Sequence, residues 1–126
     1  MQANKGRWPT ELRLTEEGRL LKVSFESGES FDLATEYLRV MSPSAEVQGH
    51  SEAGRKTVGG KRKVMVLTID PVGAYAVRLT FDDMHSSGIF TWEYLYELGA
   101  HYAEKWPAYV AELAQKGLDR DRPGEK

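Results

Sequence analysis

Cysteine is absent from these 126 residues. That excludes disulfides, iron–sulfur ligation through the chain's own thiolates, zinc ribbons and thiol nucleophiles. Long apolar runs are missing too, since no window approaches the roughly 18 apolar residues of a membrane span. The stretch from Met1 to Pro9 lacks the apolar core of a signal peptide. There is little surplus charge of either sign: the formal net charge is -2 and the pI about 5.9. Bulk electrostatics therefore give no pull toward nucleic acid or an anionic membrane. A cytoplasmic protein working without nucleic acid or membrane is the expectation.

Catalytic signatures are equally scarce. Ser42, Ser44, Ser86 and Ser87 lie in no nucleophile-elbow pattern. Gly59-Gly60-Lys61-Arg62 lacks the spacing of a phosphate-binding loop, and the glycines at 54, 59 and 60 do not lead from a strand into a helix. No HxH or HExxH spacing occurs. A non-enzyme is expected.

What is present suits one soluble domain: 40% hydrophobic and 29% charged residues. Glu11–Leu14 and Arg19–Phe25 alternate around a turn in which Gly18 is free to take positive φ, and Ser27-Gly28-Glu29 turns into a third strand, Ser30–Leu33. Ala34–Met41 reads as a short helix with Leu33, Tyr37, Leu38 and Met41 on one stripe, ended by Ser42-Pro43. Residues 48–63 form the longest irregular segment, with Arg55, Lys56, Lys61, Arg62 and Lys63 against Glu52 alone. This is read as a basic loop, either solvated or touching an acidic partner. Val64–Ile69, apolar on both faces, reads as a central strand, and Asp70–Gly73 as a turn. Tyr75, Val77, Leu79 and Phe81 share one face of the next strand.

Thr91 is a natural N-cap for a helix with Glu93 in its first turn and Trp92, Leu95, Gly99, Tyr102 and Trp106 at helical spacing. Pro107 either breaks that helix or opens a second one reaching about Lys116. The fold class expected is α+β: a small antiparallel sheet of hairpins packed against a C-terminal helix, with a short helix after the third strand. The domain spans residues 8–117, with flexible tails at 1–7 and 118–126.

Phe81-Asp82-Asp83-Met84-His85-Ser86-Ser87-Gly88 reads as a strand end and an acidic turn holding one histidine. Imidazole and carboxylate suit zinc or non-haem iron, and His50 can reach the same place if the loop before it folds over. The metal reading is His85, His50 and Asp83; in the alternative, the acidic pair and His85 only shape the turn. His101 is read as structural. Trp92, Tyr94, Tyr96, Tyr102, Trp106 and Tyr109 crowd more aromatic surface than one helix face can bury. That points to a partner surface using Trp92, Tyr94 and Tyr109, with Arg39 beside it.

Two stretches resemble a known family: Glu36-Tyr37-Leu38-Arg39-Val40-Met41-Ser42-Pro43-Ser44-Ala45-Glu46-Val47-Gln48-Gly49-His50, and Ile69 to Leu98, which contains Phe81-Asp82-Asp83-Met84-His85-Ser86-Ser87-Gly88-Ile89-Phe90-Thr91-Trp92-Glu93-Tyr94-Leu95. They resemble the stand-alone bacterial proteins of domain-of-unknown-function family 971. That family is similar to the N-terminal domain of gamma-butyrobetaine hydroxylase. The likeness spans roughly residues 8–105. In the hydroxylase this is an accessory module, and iron- and 2-oxoglutarate-dependent chemistry belongs to a separate jelly roll. The resemblance thus implies a fold without the hydroxylation. It also implies zinc held by three cysteines and a histidine, at positions matching Ser42, Ser44, Val47 and His85. Hydroxyls and a valine cannot replace thiolates, so the cysteine zinc site is not expected here. Fusions of the domain to P-loop ATPases of iron–sulfur cluster assembly imply an adaptor role, with an enzyme or cluster-assembly factor as protein partner. The expected function is a non-catalytic accessory module; the alternative is a small iron- or zinc-binding protein.

Overall fold

A computed structural model describes residues 8–43, 59–83 and 88–121. Its strands are β1 (Pro9–Thr15), β2 (Leu20–Phe25), β3 (Ser30–Ala34), β4 (Val66–Val72), β5 (Ala76–Phe81) and β6 (Ile89–Thr91). Its helices are α1 (Thr35–Val40), α2 (Trp92–Ala100) and α3 (Tyr102–Gln115). The strands form two antiparallel three-stranded sheets, ordered β1-β2-β3 and β4-β5-β6. The α+β class, the hairpins, the short helix after the third strand and the C-terminal helix all appear as expected. No described helix is long and apolar enough to cross a membrane.

Alternation decides how the first sheet lies. Leu12 pairs with Val23 and Val23 with Phe31, while Leu14 pairs with Leu21 and Leu21 with Leu33. These form its inward face, and one residue along, Arg13, Lys22 and Asp32 form a polar ladder outside. The turn between β1 and β2 places Gly18 at φ 89, and a Cβ there would stand 3.0 Å from the Val66 carbonyl oxygen. Glycine is thus needed both for the turn and for the approach of this hairpin to β4.

The second sheet corrects two expectations. β4 is an edge strand and β5 the central one, because proline at 71 has no N–H to give to a second neighbour. Strand pairing continues through Pro71 opposite Val77 and Val72 opposite Ala76, so the turn is Gly73–Tyr75 and not Asp70–Gly73. The register slips between Val66 and Thr68, and the extra residue, Leu67, is 54% exposed. A bulge explains why the run looked apolar on both faces. Tyr75 falls in the turn and is exposed, while Val77, Leu79 and Phe81 do share the buried face.

Thr91 caps α2, its hydroxyl oxygen accepting from the Tyr94 N–H at 3.0 Å. The expected helix over 91–106 is two helices, and the break is at His101 (φ -114, ψ 22), not at Pro107, which lies inside α3. The change of direction lets Leu95 and Leu98 of α2 and Tyr109 and Leu113 of α3 enter the same buried cluster as both sheets. Tyr102 and Trp106 stack on each other and meet the Tyr37 ring edge-on, which fixes the start of α3.

Residues 118–121 are tied to the rest of the fold. Leu118 packs on the core, the Gly60 N–H donates to the Asp119 carbonyl at 2.9 Å, and the Arg62 N–H donates to the Arg120 carbonyl at 3.0 Å. Backbone pairing with residues 60–62 holds this segment in place. Residues 1–7 and 122–126 lie outside the described residues.

Gly99 supplies a test of this packing. A Cβ there would overlap the Phe31 ring, so β3 and α2 meet through the missing side chain. Gly99→Ala should lower stability by about 1–2 kcal/mol, overpacking outweighing alanine's better helix propensity. Urea denaturation checks it, and an unchanged or raised midpoint would refute the close contact.

Candidate functional site

Helix α1 is only six residues long, and all six are buried, Glu36 and Arg39 among them. Both lie on a helix whose Tyr37, Leu38 and Val40 belong to the core and whose Thr35 is buried with its hydroxyl donating to the Val64 carbonyl. Burying unpaired charge is costly, so both must find partners. Glu36 is held by a bidentate pair from Arg120, at 2.8 Å from Nε and 2.7 Å from Nη2. The Arg120 guanidinium also sits 5.2 Å from the centroid of the Trp106 ring. Arg39 Nε donates to Asp83 Oδ2 at 2.9 Å, and Lys61 Nζ reaches the same oxygen at 2.5 Å. Arg39 Nη1 is buried and finds no acceptor among the described residues. Such an orphan costs about 1–3 kcal/mol.

Tyr109 of α3 enters the same region, 4% exposed. Its phenol pKa is pushed well above the ordinary value, first by burial and then by the Glu36 charge, with Arg120 and Arg39 acting in the opposite direction. Tyr37 is raised likewise by burial, and its hydroxyl donates to the Leu98 carbonyl at 2.7 Å. Alongside lies an open groove of about 680 Å³, lined by Met41 at the end of α1, Tyr94 of α2, and Lys105, Ala108, Tyr109, Ala111, Glu112 and Gln115 of α3. Its α1 and α2 sides are joined where the Tyr94 hydroxyl donates to the Met41 carbonyl at 2.6 Å.

The residues expected to act at a site are thus dispersed differently. Tyr94 and Tyr109 do come together, on the groove, but Tyr109 is buried instead of projecting. Trp92 is tucked away with its indole N–H on the Ala74 carbonyl at 2.9 Å, facing the β4–β5 turn. Arg39 is 8% exposed and bound to Asp83, which places it inside the fold. His50 and His85 lie outside the described residues. Asp83, their proposed companion, has its Oδ2 shared by Arg39 and Lys61, so a metal bound through that oxygen would compete with two cations. Asp82 is occupied locally, accepting from the Met65 N–H at 3.1 Å. No group of three His, Asp or Glu that could hold a metal occurs among the described residues. For the zinc that the family resemblance implies, Ser42 stands at one thiolate position, and its fully buried neutral hydroxyl, packed where a Gly88 side chain would lie, does not fit that role. His101 is exposed and bonded to Glu104 Oε1 at 3.2 Å, which fits its structural reading.

Sequence reasoning missed Glu36, Lys61 and Arg120. In the sequence Lys61 reads as part of a basic loop and Arg120 as part of a flexible tail. One signal was available: two charges three residues apart on a helix that carries Tyr37, Leu38 and Val40 require buried partners from elsewhere.

Comparison with known proteins adds a family. Residues 12–96 match the family model described as gamma-butyrobetaine hydroxylase-like, N-terminal. One similar protein, known from an NMR solution structure, is 44% identical, with 96% of this chain and 94% of that one covered at a TM-score of 0.80. A second NMR solution structure is 38% identical over 100% of this chain and 93% of the other, at a TM-score of 0.81. A crystal structure of a protein of unknown function in the DUF971 family, from Acidithiobacillus ferrooxidans ATCC 23270, is 40% identical and covers 75% of this chain and 94% of its own, at a TM-score of 0.63. No curated protein matches.

Two outcomes are expected from the buried groups. Arg120→Ala should destabilise the fold by about 1–3 kcal/mol in denaturant unfolding, less than for a fully buried pair because Arg120 is partly exposed, and much of that loss should vanish in a Glu36→Gln background. The second concerns pH. Tyr37 and Tyr109 have folded pKa values raised above the ordinary 10.0. Their contribution is therefore complete below pH 10.0 and falls as pH rises above it, so alkaline unfolding should be delayed in Tyr109→Phe. Tyrosinate absorbance during a pH titration reads this directly, and two tyrosines should ionise only together with unfolding.

Proposed function

The chain belongs to the gamma-butyrobetaine hydroxylase-like N-terminal family, and from that membership we propose that it works as a non-catalytic accessory module docking onto a protein partner. An enzyme or an iron–sulfur cluster-assembly factor is the class of partner. The observation that carries this reading is the groove of about 680 Å³, where Met41 and two tyrosines meet the alanine-rich side of α3 between Lys105 and Glu112. Apolar floor, aromatic walls and charged edges suit a short amphipathic segment from another protein. The groove stands on rigid elements, because Tyr94 is tied to the end of α1 and Tyr109 is packed in the core.

The charges near the groove support a binding role over a chemical one. Glu36, Arg39, Lys61, Asp83 and Arg120 are engaged with one another in ion pairs. A general base or nucleophile needs a geometry open to a substrate, and these groups face each other.

Truncating Tyr109 would test folding, not docking, because it is buried. A photo-activated cross-linker at Ala108, in the groove, is the better probe, with the same group at exposed Thr10 on β1 as reference. In the native host, Ala108 should trap one discrete protein that Thr10 does not, and Ala111→Trp, which fills the groove, should remove that adduct while leaving the circular dichroism spectrum unchanged. Identical adducts from both positions, or an adduct that survives Ala111→Trp, would rule the groove out as the docking site.

A further inference from the structure

We propose that Arg39 and Lys61 form a subsite for a single oxyanion, a carboxylate or a phosphate, at the junction of α1, the end of β5 and residues 59–63. Among the described residues the cluster around α1 gathers three cations, Arg39, Lys61 and Arg120, against two anions, Glu36 and Asp83. Arg120 and Glu36 satisfy each other through two parallel bonds. That leaves Arg39 and Lys61 dividing one carboxylate, and both bind the same oxygen of it.

Two cations on one oxygen stand close together, and their repulsion is only partly neutralised. Arg62, next in sequence, does not share this condition, because it is paired with Asp121. Among the described residues, the titratable groups around the subsite are Asp83 after β5, Glu36 on α1 with its partner Arg120, and Tyr109 of α3, on which Arg39 acts electrostatically. None of them supplies the missing acceptor for Arg39 Nη1.

The donors are suited to a second anion. Arg39 is 8% exposed, so its position is set by the fold and little side-chain freedom is lost on binding. Its Nε is used by Asp83, while Nη1 has a proton aimed at a buried position without an acceptor. Lys61 Nζ carries three protons and gives one to Asp83, and it is the more solvent-facing of the two, which orients the subsite outward. An oxyanion accepting from both would complete the charge balance and satisfy the orphan, where a neutral ligand would do only the second. Neither donor of the subsite, Arg39 or Lys61, lines the groove.

The test is a titration of the full chain, isotope-labelled for NMR, with sodium acetate and separately with inorganic phosphate at constant ionic strength. Saturable shifts at the Arg39 Nε–H and the Lys61 and Asp83 amides are expected, and the anion that saturates at lower concentration identifies the ligand as carboxylate or phosphate. Lys61→Ala, which leaves the Arg39–Asp83 pair intact, should weaken binding about tenfold, and Arg39→Lys, which keeps the charge but loses the fork, should do the same. Asp83→Asn removes the competing carboxylate and should tighten binding, an effect a purely structural cluster would not give. Shifts that fail to saturate, or that are the same in Lys61→Ala as in the unaltered chain, would overturn the proposal.

Discussion

The burial of two charges on a six-residue helix governs how the rest of the chain is arranged. α1 is too short to persist by itself and exists because Tyr37, Leu38 and Val40 are core residues. The same turns carry Glu36 and Arg39 inside. Glu36 then requires Arg120 from the end of the chain, and Arg39 requires Asp83 from the end of β5, which also draws in Lys61. Three segments remote in sequence are thereby fastened to one helix. The backbone bonds from Gly60 and Arg62 to residues 119–120 close the arrangement.

Apolar packing gives the same helix a second set of ties. Tyr37 is fully buried, meets Tyr102 and Trp106 edge-on, and bonds the last turn of α2 through Leu98. The aromatic crowding of the C-terminal region is therefore divided. Trp92 serves the β4–β5 turn, Trp106 receives Arg120, Tyr109 seals the core, and Tyr94 remains at a groove wall. Of these aromatics, Tyr94 and Tyr109 line the groove, while Tyr102 is exposed at the start of α3.

Much of the fold was legible in local pattern. Strict alternation in β1 to β3 admits only one inward face, because a one-residue slip would bury Arg13, Lys22 and Asp32. Thr91 was readable as a cap because a hydroxyl before an acidic first turn answers open backbone donors. The place of β4 was not legible, since a bulge at Leu67 breaks the alternation from which edge and centre are judged. The helix break at His101 was hidden as well: nothing local marks it, and the turn exists so that two helices can share a core. Of the candidate site, Tyr94 and Tyr109 were recognisable as aromatics with too few places to go, whereas Lys61 and Arg120 looked like ordinary charges in polar surroundings.

Sequence by itself determined the α+β class, the hairpins, the Thr91 cap, the family and the exclusion of thiol chemistry, all of which depend on residue type and on local pattern. Only the tertiary structure decided which charges are buried and with whom. The Glu36–Arg120 pair spans 84 residues and the Arg39–Asp83 pair 44. No periodicity extends over such distances; a buried charge takes whichever opposite charge the packing of the two sheets brings within reach.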